Sequence, residues 1–103
     1  MTLAELNTLL KTTEYPVAYG EFEHAVGFPA ICFYERDSNN LFADGISYFT
    51  QTRKVVELYT DYKDPESEGK VETLFLQNGI AWEKTETRIE DEHCYLIAYE
   101  IEV

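Results

Sequence analysis

Apolar positions along this chain change period several times, and each change marks an element. Leu3, Leu6, Leu9 and Leu10 recur at helical spacing. Thr2 stands before them with Glu5 three residues on, the hydroxyl-and-carboxylate pattern of a capping box. A short helix is predicted over about residues 3–11. Pro16 bars its continuation, and Tyr15 to Phe22 reads as extended, with Val17 and Tyr19 on one face. After a loop around Glu23 to Gly27, the run from Pro29 to Tyr34 is apolar on both faces, as an inner strand requires. Pro29 sits at its start, where a missing N–H is tolerated.

Residues 36–45 are mostly turn formers and predict a hairpin loop. Two bulky apolar residues inside it, Leu41 and Phe42, either fold back onto the core or stand out as an anchor for a neighbouring subunit. Ile46 to Tyr62 is long for one strand, and a bend or bulge is expected near Thr50 to Arg53. Within it Val56, Leu58 and Thr60 share one face, and Val55, Glu57 and Tyr59 the other. Asp64 and Pro65 then open a second helix as N-cap and first helical residue. Val71, Leu74 and Phe75 form its apolar stripe, and Asn78-Gly79 ends it. Ile80 to Glu90 resumes as a strand with Trp82 facing one way and Glu83, Thr85 and Thr87 the other. A turn at Glu90-Asp91-Glu92 leads to a last strand. There Tyr95, Ile97, Tyr99, Ile101 and Val103 alternate with Cys94, Leu96, Ala98, Glu100 and Glu102. The expected fold is α+β, one domain over residues 1–103. It is a single sheet of about five strands with two helices on one face, in the order α-β-β-β-α-β-β.

Composition narrows the functional classes. Hydrophobic residues make up 45% of the 103, which excludes a disordered chain. The apolar runs are too short to span a membrane. The start has no basic n-region or apolar h-region, so a cytoplasmic chain is expected. Twenty acids against eight bases leave a net charge of −12, and such a surface repels phosphate backbones. Cys32 and Cys94 lie far apart in two predicted strands and read as buried apolar residues. With His24 and His93 they are the only soft ligands, too scattered for a zinc site. Glu57 with Asp61, or Glu86 with Glu90, can be called acid pairs. Their neighbours Lys54, Lys63, Lys84 and Arg88 fit surface ion pairs better. No serine sits in a nucleophile elbow, and the five glycines form no phosphate cradle. The expectation is therefore a protein that is not an enzyme, with no catalytic residues, no cofactor and no metal. Its eight tyrosines are numerous, and Tyr48, Tyr59, Tyr62, Tyr95 and Tyr99 fall in or beside strands. Ordinary strand composition accounts for them equally well as a tyrosine-bearing face that makes a subunit contact.

Several segments carry a family resemblance. They are Thr12-Thr13-Glu14-Tyr15-Pro16-Val17-Ala18-Tyr19, Glu57-Leu58-Tyr59-Thr60 and Lys63-Asp64-Pro65-Glu66, then Glu83-Lys84-Thr85-Glu86, Ile89-Glu90 and Tyr99-Glu100-Ile101-Glu102. Through them nearly the whole chain resembles the small tail terminator, tail-completion or minor capsid-type proteins of tailed bacteriophages and prophages of Gram-positive bacteria. The resemblance implies a structural protein of the head–tail joint. Such a protein caps the finished tail tube as a ring, typically six-fold, and presents it to the head connector. The partners so implied are copies of itself, the tail tube protein and head connector proteins. DNA passes a ring lumen without being specifically bound. The implied location is the virion, with host cytoplasm during assembly. Leu41, Phe42, Tyr48, Tyr59, Tyr62, Tyr95 and Tyr99 are the candidate contacts between subunits. Other parts of the same joint, a head-closure or neck protein, fit the same residues. An acidic DNA mimic is the alternative from a different class.

Overall fold

The structure is a computed structural model; it describes residues 1–43 and 46–103, with side chains described for 1–36 and 53–103. The elements run α1 (Leu3–Lys11), β1 (Val17–Tyr19), β2 (Ala30–Ala43), β3 (Ile46–Thr60), α2 (Pro65–Gln77), β4 (Trp82–Ile89) and β5 (Cys94–Glu102). The five strands form one mixed sheet in the order β1-β2-β3-β5-β4. Only the β1–β2 pair is parallel. The predicted α+β class and element order are what the chain adopts.

Both helices are fixed by their ends. At α1, Thr2 Oγ1 accepts from the Glu5 N–H at 3.1 Å while the Thr2 N–H donates to Glu5 Oε1 at 3.0 Å, which closes the capping box. At α2, Asp64 accepts from both the backbone and the hydroxyl of Ser67. The helix ends where the Gly79 N–H donates to the Leu76 carbonyl and the Ile80 N–H to the Phe75 carbonyl, with Gly79 left-handed at φ +67°. That pair of bonds is a Schellman motif, and it turns Ile80 back under the helix into the core.

The alternation of each strand decides what these helices cover. Leu6 and Leu10 of α1 and Val71 and Phe75 of α2 pack on Ile31 and Phe33, Val56 and Leu58, and Ile97, Tyr99 and Ile101. Register aligns them: Ile31 lies opposite Leu58, and Leu58 opposite Ile97. Both helices therefore lie on one face. The other face carries Ala30, Cys32, Val55, Glu57, Tyr59, Leu96 and Ala98, shared parity placing them together.

One expectation is corrected. Residues 36–45 are not a loop as a whole. β2 continues to Ala43, pairing antiparallel with β3 from Ile46 onward, with register shifts between Glu35 and Asp37 and between Leu41 and Phe42. Local turn preference at Asp37, Ser38, Asn39 and Asn40 loses to a ladder already set by Ala30 to Glu35. The irregularity expected near Thr50 to Arg53 sits opposite Arg53, on β2, where Arg36 is the extra residue.

Candidate functional site

β2 and β3 outrun the rest of the sheet. β1 meets β2 only at Ile31 to Phe33, and β5 meets β3 only from Arg53 to Thr60. Beyond that point the ladder of residues 37–43 with 46–53 is a ribbon of two strands. At ~3.3 Å per residue it extends roughly 23 Å past the last β3–β5 pair. The longest dimension of the molecule, 50 Å against 29 and 23 Å, fits such an arm. Leu41, Phe42 and Tyr48 fall in the arm, and their side chains lie outside the described residues.

The remaining candidate tyrosines do not gather on one surface. Tyr59 lies on the helix-free face, half-buried, its hydroxyl donating to Glu57 at 3.1 Å. Burial beside that carboxylate pushes its phenol well above the ordinary range. Tyr95 and Tyr99 point the opposite way. The Arg88 guanidinium lies over the Tyr95 ring, 5.1 Å from its centroid. Tyr99 is wholly buried, edge-on to Phe75 at 5.6 Å, with its hydroxyl donating to Glu72 Oε2 at 2.8 Å. The tyrosine-bearing face is thus corrected: strand alternation puts Tyr99 among Ile97 and Ile101 in the core, where no partner reaches it. Tyr62, just past β3, is 61% exposed and stays available.

Of the acid-pair candidates, Glu57 accepts from the Tyr59 hydroxyl and Glu86 is held in a charged network beside β4. Lys63 Nζ reaches Glu68 Oε2 and Glu86 Oε1, both at 2.6 Å. Lys84 Nζ reaches Glu72 at 2.9 Å and Glu68 at 3.2 Å. Glu68 has only 5% of its side chain exposed, so the two lysines neutralise a carboxylate that burial would otherwise disfavour. Those hydrogen bonds raise the affinity of both lysines for their protons, Glu68 and Glu86 for Lys63 and Glu72 foremost for Lys84. These carboxylates are fixed by cations and by a phenol, which suits stability rather than proton transfer. Among the described residues no group of three or more histidines, cysteines or acids is placed to hold a metal ion. No described helix is long and apolar enough to cross a membrane.

No family model matches the chain, and no curated protein does.

Two surfaces escaped the sequence reading. Tyr19, Val26 and Phe28 stand 54%, 37% and 45% exposed around the segment after β1. Part of that segment walls a depression floored by Ala30, Cys32 and Tyr59. Val26 and Phe28 carry no period, so only their apolar character inside a polar loop marks them. The second surface is β4, at the edge of the sheet and exposed along nearly its whole length.

Proposed function

We propose that this chain is a structural protein of the bacteriophage head–tail joint, a tail terminator that caps the tail tube as a ring of its own copies. The observation that carries the reading is the arm of β2 and β3. A two-stranded ribbon is marginal in water unless something packs against it, and a neighbouring subunit in a ring is a natural support. Ring contacts are heterologous, one patch meeting a different patch on the next copy, and an arm reaching for a neighbouring body has that character. Exposed Tyr62 supplies a candidate contact outside the arm. A lumen walled by this acidic surface lets duplex DNA slide without adhering. The resemblance of the chain to tail-terminator and tail-completion proteins supplies the biological setting; no catalytic role is assigned.

The arm gives the test. Replacing residues 38–51 by a short turn leaves the five-stranded body intact. Light scattering after size exclusion, across concentration and salt, should find assemblies of six subunits or a multiple of six for the full chain and nothing larger than a dimer for the shortened one. Identical masses for the two would overturn the reading. So would a full chain that neither closes into rings at high concentration and salt nor caps isolated tail tubes in electron micrographs.

A further inference from the structure

β4 is an open edge: β5 occupies one side, and among the described residues nothing pairs with the other. Edge strands are commonly protected by charge, because like charges repel an incoming strand. The charges on β4 are of both signs, and their order matters. On the α2-bearing face it presents Trp82, Lys84, Glu86 and Arg88; on the other, Glu83, Thr85 and Thr87. A second copy approaching antiparallel about a two-fold axis at Thr85 would set Lys84 against the partner's Glu86 and Glu86 against the partner's Lys84. This joins the network in which Lys84 already holds Glu68 and Glu72 and Lys63 holds Glu86 to its counterpart in the second copy. The same register sets Trp82 against the partner's Arg88, a cation over an indole. Thr85 meets the partner's Thr85, and Glu83 meets the partner's Thr87. A slip of one residue exchanges the faces. The symmetric registers one step either side bring two copies of Lys84 or two copies of Glu86 together, and both are repulsive. Of these three registers, only the one about Thr85 is attractive on both sides of its axis.

We infer that β4 is a self-recognition edge, pairing with β4 of a second copy about Thr85 to join two sheets into one. The contact is isologous and so stands apart from the heterologous ring contact proposed for the arm. Either can fail without the other.

Cysteine crosslinking tests the register directly. Opposed residues in an antiparallel pair have Cα atoms about 4.5–5.5 Å apart, within disulfide reach. Cys32 and Cys94 are buried, and burial raises both thiols above their usual range, which keeps them silent in the folded protein. Thr85→Cys should form a disulfide-linked dimer under mild oxidation at least tenfold faster than Thr73→Cys, on the exposed side of α2. Glu83→Cys alone should not, because two copies of residue 83 lie roughly 13 Å apart in this register. Mixed with Thr87→Cys, it should crosslink. Thr85→Cys reacting no faster than Thr73→Cys overturns the inference. Glu83→Cys crosslinking with itself overturns the register. In a chain with residues 38–51 replaced, the Thr85→Cys crosslink should persist, and its loss would show that the contact depends on the arm.

Discussion

Lys84 and Tyr99 show how single side chains hold this fold. Removing Lys84 as Lys84→Met leaves Glu68 to Lys63 and Glu72 to the Tyr99 hydroxyl. Lys84 is itself 39% exposed, so the cost should be about 1–2 kcal/mol, less than for a wholly buried pair. Urea unfolding measures it, and adding Glu68→Leu should recover part of the loss. Tyr99 governs the alkaline side. Burial and then the Glu72 hydrogen bond push its phenol far up, and Tyr59 is pushed the same way by burial and Glu57. In the unfolded chain tyrosine ionises near pH 10. Stability from a raised phenol is complete below that pH and falls as the pH rises through the window above it, where the fold must keep a proton that the unfolded chain releases. The raised lysines of the network act in the same direction. Thermal unfolding midpoints should hold to about pH 10 and then drop. Tyr99→Phe should lose about 1 kcal/mol at neutral pH yet show a shallower alkaline fall, and an unchanged slope would contradict this account.

Elements differ in how far the sequence announced them. Those with strong local signals were legible: α1 from its leucines and capping box, α2 from Asp64-Pro65 and Asn78-Gly79, β5 from its unbroken alternation. The Schellman end of α2 is testable as such. Gly79→Ala forces a side chain into a left-handed backbone and should cost about 1 kcal/mol, whereas Gly69→Ala, inside the helix with open space around it, should stabilise by some tenths of that or more. The arm was illegible because Ser38, Asn39 and Asn40 favour turns locally, while pairing with β3 is decided at a distance. The charged network was illegible for the same reason. It needs β4 placed beside β5, with Lys84 opposite Tyr99, and no spacing in the sequence states that strand order. Tyr99 itself was readable from parity, since it alternates in phase with Ile97 and Ile101.

At the scale of the whole molecule, charge sets the conditions under which the proposed ring could close. Each copy carries −12, so a six-fold ring of the kind proposed would carry about −72, and unscreened repulsion would oppose its closure. At physiological ionic strength the Debye length is about 8 Å, shorter than the span between subunit centres, and most of that repulsion is removed. Assembly should therefore strengthen with salt. Sedimentation at 20 mM and 500 mM sodium chloride, which differ about fivefold in screening length, checks it. Tight rings at low salt and high dilution would mean that specific contacts outweigh the field.

The strand order has a consequence for biosynthesis. β5 is made after β3 and β4, yet it lies between them in the sheet. Until residues 94–102 are synthesised, β3 and β4 have no ladder to share, and Val56, Leu58 and Trp82 lack the neighbours that bury them. A nascent chain can close α1 and the β2–β3 hairpin early, but the core waits for β5 to insert. Long-range closure of that kind slows folding and leaves two open strand edges exposed while translation proceeds. The core should therefore close in a single step, once residues 94–102 are available to pair with β3 and β4.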